Sequence, residues 1–107
     1  MGILQHIVAY ITGGAHGIGK AVAEKILCEG GRVVLADISN KGAKLAESMG
    51  ERALFTCTDV RQEKDIKKSM KLVKEKFGGV NVLVNSAGIY TNVYTTQMYG
   101  VYLMRLV

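Results

Sequence analysis

The sequence contains no proline. No helix in it is broken from within, and every sharp turn must come from other residues. The 13 glycines are the obvious source. Only two cysteines occur, Cys28 in a helical pattern and Cys57 in a strand pattern, with no CxxC pair and only two histidines, His6 and His16. That excludes the usual zinc spacings and any disulfide framework, and both thiols are expected to be buried in a reducing compartment. No apolar run approaches the ~18 residues of a membrane span, so a soluble protein is expected. The first strand pattern begins about seven residues after Met1, so no separate signal or transit peptide is expected. The net charge of +5 could suit nucleic acid or a membrane surface, but a modest surplus of surface lysine is the better reading.

What is present is a core. Of 107 residues, 49% are hydrophobic, enough for one small domain and too many for a disordered chain. The apolar run Ile7-Val8-Ala9-Tyr10-Ile11 leads into Thr12-Gly13-Gly14-Ala15-His16-Gly17-Ile18-Gly19-Lys20, and a helical pattern follows directly. Strand, glycine loop and helix in that order make a phosphate site. The loop has few Cβ atoms to obstruct a ligand, and the helix start offers free N–H groups and a positive dipole end. Two spacings overlap. Gly13-x-x-x-Gly17-x-Gly19 is a variant of the dinucleotide fingerprint, whereas Gly14-x-x-x-x-Gly19-Lys20 is most of a P-loop.

The remaining pattern alternates. Strands are expected at 7–11, 32–36, 53–58 and 80–84, with helices at 17–29, just after Ser39-Asn40 and at 62–77. Ile18, Val22 and Ile26 form the stripe of the first helix. Ile66, Met70, Val73 and Phe77, at offsets of 0, 4, 7 and 11, form that of the third. The opposite face of that third helix, Lys67, Lys68, Lys71 and Lys74, reads as solvated. Such alternation gives an α/β, Rossmann-type doubly wound parallel sheet in strand order 3-2-1-4. The chain reads as a single partial dinucleotide-binding domain. Residues 90–107 form an atypical tail, rich in tyrosine and threonine, with a short helix expected from Thr95 and no fifth strand.

Three further signals lie at carboxyl ends of strands, where ligands of such sheets bind. Asp37 stands 18 residues after Gly19. A carboxylate there accepts the adenosine ribose hydroxyls and repels a 2′-phosphate, favouring NAD over NADP, unless it merely caps the next helix. Asp59-Val60 ends the third strand, placed to meet the adenine amino group or to cap a helix. Asn85-Ser86-Ala87-Gly88 ends the fourth, as a ligand-facing loop or an ordinary turn. His16 reads as a neutral loop residue near the ribose, and His6 as a surface residue. The three acidic and amide signals share one crevice, and Ala21 stands where a P-loop needs a hydroxyl for Mg²⁺. Both facts favour the dinucleotide.

Taken together, Thr12-Gly13-Gly14-Ala15-His16-Gly17-Ile18-Gly19, Asp37, Asp59-Val60 and Asn85-Ser86-Ala87-Gly88 resemble the short-chain dehydrogenase/reductase family over residues 7 to 89. The resemblance implies that His16, Ile18, Asp37, Asp59, Val60 and Ser86 contact NAD. It also implies hydride transfer between NAD and a secondary alcohol or ketone. Residues 38–42, 76–80 and 100–107 point, within the family, toward members acting on 3-hydroxyacyl-CoA or hydroxysteroids, to a mitochondrial location and to a homo-oligomer.

The family's catalytic Ser and Tyr-x-x-x-Lys have no counterpart here. No tyrosine is followed four residues later by lysine, and no serine follows Ser86. Gln97 falls where the family has a relay Asn. These departures imply a chain cut after its fourth strand, with the edge of that strand open. Such a chain would be a noncatalytic isoform or interaction fragment, without dehydrogenase activity alone and weakly stable without a partner.

Overall fold

In a computed structural model, residues 2–15, 17–85, 88–90, 95–97 and 100–103 are described, with side chains up to residue 85. Strand β1 (Val8–Thr12) is buried at every position, as a central parallel strand must be. It is followed by helix α1 (Gly17–Cys28) and strand β2 (Arg32–Asp37). Helix α2 (Lys41–Met49), strand β3 (Ala53–Cys57), helix α3 (Glu63–Phe77) and strand β4 (Val82–Asn85) complete the alternation. Gly78, in the left-handed conformation at φ 83°, closes α3, its N–H bonded to the Lys74 carbonyl.

The four strands are parallel in the order β3-β2-β1-β4, as the alternation implies. Side chains leave a strand alternately to its two faces. Ala9 and Ile11 of β1 with Val33 and Leu35 of β2 therefore meet α1 and α2 through Ala23, Ile26 and Ala46. Val8, Tyr10, Val34 and Ala36 meet α3 through Val73. The result is helix, sheet and helix in three layers. A chain of hydroxyls crosses the second interface: Tyr10 to Ser69 at 2.8 Å, Ser69 to Thr56 at 2.8 Å and Thr56 to Thr58 at 2.9 Å. All four are buried, so each needs its partner.

Three expectations about the tail fail. The tail does not form a helix from Thr95: strands β5 (Gly88–Tyr90) and β6 (Thr95–Gln97) pair as an antiparallel hairpin. Strand β7 (Gly100–Leu103) then runs antiparallel to β4, so a further strand does follow and the β4 edge is covered. Threonine, valine and tyrosine favour extended backbone, and the bare edge of β4 supplies acceptors and donors that only an extended segment satisfies.

The thiols of Cys28 and Cys57 are exposed. Cys28 sits in the last turn of α1 away from the sheet, and Cys57 ends β3, the edge strand, so neither reaches the core. Ile18, expected in the α1 stripe, is 62% exposed. The buried face instead runs through Gly19, Ala23 and Ile26, because small residues let the helix start approach the sheet. Among the described residues no helix is long and apolar enough to cross a membrane.

Candidate nucleotide site

The chain order sends β1, β2 and β3 one way across the sheet and β4 the other. A crevice opens beyond the carboxyl ends of β1 and β4, where the direction reverses. Thr12, the last residue of β1, lies opposite Asn85, the last of β4, and its Oγ1 donates to Asn85 Oδ1 at 2.9 Å. A second contact runs to the Val84 carbonyl at 3.5 Å.

The glycine loop begins at Gly13, whose N–H donates to the Ala36 carbonyl at 2.8 Å. Gly13 and Gly17 adopt φ of 66° and 61°, a left-handed backbone that side chains oppose. A Cβ at Gly14 would lie 2.9 Å from Leu35 Cδ2 and 3.1 Å from the Ile11 carbonyl, so the loop lies tight on the sheet at that point. A Cβ at Gly17 would meet nothing within 4 Å. Beside the start of α1 there is thus open space bordered by N–H groups that have no intrahelical acceptor. An anionic group bridging to that helix start fits it by charge and by room.

Asp37 ends β2 and is 5% exposed. Its Oδ2 accepts the Ala15 N–H at 3.1 Å and its Oδ1 the Ser39 N–H at 3.0 Å. Its carbonyl accepts the Thr58 N–H at 3.0 Å. One residue therefore holds the glycine loop, its own turn and the end of β3 together. It does not cap α2, whose N-cap is Asn40 without a side-chain bond.

Asp59 follows β3 and grips Arg61. Oδ1 accepts the Arg61 backbone N–H at 2.9 Å and Nε at 3.0 Å, and Oδ2 accepts Nη2 at 2.9 Å. Hydrogen bonding by the Arg61 side chain, then by its backbone, holds the Asp59 carboxyl below its ordinary range; the same pair raises Arg61. The cap of α3 is Gln62, so Asp59 is not a cap either.

The structure thus brings Gly13, Gly17, Gly19, Asp37, Asp59, Val60 and Asn85 to the carboxyl-end side of the sheet, with the exposed Ile18 beside them. Gly88 lies in the backbone of β5, paired with Gln97. His16, Ser86 and Ala87 lie outside the described residues. Reading the sequence missed Thr12, whose signal is a hydroxyl at the last position of a buried strand. It also missed Ile38, 65% exposed directly after Asp37, whose signal is an apolar residue following a strand-ending acid. His6 is a surface residue, as expected.

A groove of about 270 Å³, lined by His6, Val8, Arg32, Phe77 and residues 78–81, lies at the opposite, amino ends of the strands. It lies across the sheet from Asp37, Asp59 and the glycine loop, and ligands of such sheets bind at the carboxyl ends of the strands. Among the described residues no group of acids, histidines and cysteines is arranged for a metal ion.

The family model for short chain dehydrogenase matches residues 7–101. The 3-hydroxyacyl-CoA dehydrogenase type-2 of Drosophila melanogaster is 39% identical over 94 residues, covering 87% of this chain and 37% of that protein. The human protein of the same name is 45% identical over 87 residues, covering 80% and 33%. A crystal structure of 3-ketoacyl-(acyl-carrier-protein) reductase from Brucella melitensis complexed with NADH superposes with a TM-score of 0.77. It is 34% identical, covering 80% of this chain and 36% of that one. The chain spans about a third of the length of the curated relatives it matches.

Proposed function

Since this chain belongs to the short-chain dehydrogenase family, we propose that its crevice holds NAD, with the adenosine half across the ends of β1, β2 and β3. The observation that carries the reading is Asp37, fixed by two backbone N–H groups beside the glycine loop. Ribose hydroxyls are donors that suit a carboxylate held in place. A 2′-phosphate is not: at about 4 Å and an effective dielectric of 20, each like unit charge costs about 4 kcal/mol. The pyrophosphate lies over Gly17 against the start of α1, where a Cβ would intrude. Asp59 accepts the adenine amino group, and the exposed Ile18 and Ile38 offer apolar surface to flat rings.

When bound, NAD supplies the hydride acceptor for oxidising a secondary alcohol. The whole protein's substrate is a 3-hydroxyacyl-CoA or hydroxysteroid, by similarity to its relatives. These residues bind and orient the cofactor; they do not move the proton. No Tyr-x-x-x-Lys occurs in the 107 residues, and loss of general acid/base catalysis costs about 10²–10⁴ in rate. The proposal for this chain by itself is binding without turnover. Calorimetric titration with NAD, and separately with ATP–Mg²⁺, tests it: saturable heat from NAD alone supports the reading, and heat from ATP–Mg²⁺ alone would replace it with a P-loop.

A further inference from the structure

Asp59 is held more firmly than an acid after a strand needs to be. Its N–H donates to Asp65 Oδ2 at 3.1 Å, and its carbonyl accepts the Gln62 N–H at 2.9 Å. Its carboxylate takes three donors from Arg61, two on Oδ1 and one on Oδ2. The Arg61 side chain is 62% exposed and that of Asp59 22%. An ion pair so open to water adds little to stability. What the Arg61 fork does is fix both torsions of the Asp59 side chain, because a planar guanidinium meets a carboxylate in one plane.

The acceptor count then matters. A carboxylate has about four acceptor positions, two on each oxygen. Arg61 fills both on Oδ1 and one on Oδ2, so a single position on Oδ2 is left, and it can only accept. We propose that Arg61 is a positioning residue that makes Asp59 a one-position reader of the purine 6-substituent. It selects a 6-amino purine, as in adenine, against a 6-oxo purine, as in hypoxanthine. The amino group donates into the remaining position. A 6-oxo group points an acceptor at an acceptor, and Arg61 blocks the carboxylate from turning to escape it. Lysine at this position would keep the charge and lose the fork. The inference rests on the NAD reading of the crevice.

The test is calorimetric titration of the chain, its Arg61→Gln variant and its Arg61→Lys variant with NAD and with nicotinamide hypoxanthine dinucleotide. The two dinucleotides differ at the purine 6-position and in the N1 proton that the 6-oxo form carries. The unaltered chain should prefer NAD by at least about tenfold, the scale of one unmet buried polar group. In both variants the preference should fall to a few-fold, NAD binding weakening while the hypoxanthine dinucleotide gains as the freed carboxylate turns away from its 6-oxo group. Equal weakening of both dinucleotides would mean a merely structural role and overturn the inference, as would an unaltered preference. Failure of the unaltered chain to bind either dinucleotide would instead overturn the NAD reading itself. Thermal melts of the variants should lie close to that of the parent, since the pair is exposed.

Discussion

Thr12 Oγ1 donates to Asn85 Oδ1 at 2.9 Å, joining the last residues of two strands whose chains leave in opposite directions. The bond closes the floor of the crevice at the point where the sheet reverses. Thr12→Val keeps the shape and removes the donor, leaving Asn85 Oδ1 without that partner. The expected loss is about 1 kcal/mol in urea unfolding, the scale of a hydrogen bond at a half-buried site. Weaker NAD binding should accompany it, and Thr12→Ser should restore both. An unaltered unfolding midpoint in the valine variant would show that the bond contributes nothing.

Gly17 separates folding from binding. Its φ of 61° is left-handed, so Gly17→Ala should destabilise by about 1–2 kcal/mol through backbone strain. No atom lies within 4 Å of the added Cβ, so there is no clash in the free chain. The methyl group occupies the room assigned to the pyrophosphate, and NAD affinity should fall by more than the strain accounts for. Denaturant unfolding and NAD titration of the same variant check the two halves. Affinity unchanged in a folded variant would remove the pyrophosphate from that place.

Much of this was legible because each signal is local. An apolar run buried on both faces, a glycine loop and a periodic stripe define β1, α1 and α3 without reference to distant residues. Asp37 was legible because strand end and glycine spacing coincide. The tail was not, since Thr95, Thr96, Tyr99 and Val101 carry no clear period. Pairing with other strands decides the described ones: Thr95 and Thr96 lie opposite β5, and Val101 lies opposite Val84 of β4. The exposed thiols were misread for a similar reason: Cys57 looks like a core strand residue until β3 is known to be an edge. Arg61 was illegible because nothing in its spacing announces that it turns back onto Asp59.

Ser69 is the hub of the buried hydroxyl chain, bonded to Tyr10 and to Thr56 at 2.8 Å each. Ser69→Ala leaves two buried hydroxyls short of a partner, at about 1–3 kcal/mol for an unsatisfied group. Chemical denaturation should show a loss in that range, with an unaltered slope if the unfolded chain is the same. A neutral result would require that the Tyr10 and Thr56 hydroxyls find each other directly.

Asp59 should titrate below its ordinary value of 3.8, because Arg61 hydrogen-bonds its charged form. A group whose value is lower in the folded state contributes stability above its unfolded value. That contribution is lost as pH falls from about 3.8 through the folded value. A carboxyl-detected NMR titration should find the midpoint below 3.8, and Arg61→Gln should move it upward. A midpoint at or above 3.8 in the unaltered chain would contradict the pairing.

The central claim, an NAD site organised by Asp37, is tested most directly by the NAD-to-NADP preference of the chain and of Asp37→Asn, measured by titration calorimetry. The asparagine keeps an acceptor for one of the Ala15 and Ser39 N–H groups, sets its NH2 against the other, and removes the charge that repels a 2′-phosphate. The unaltered chain should prefer NAD by roughly a hundredfold or more, the factor that 4 kcal/mol of repulsion comfortably covers. In the variant the preference should collapse to within about tenfold, NADP gaining while NAD weakens. A preference that survives the substitution, or an unaltered chain that binds neither dinucleotide, would contradict the account.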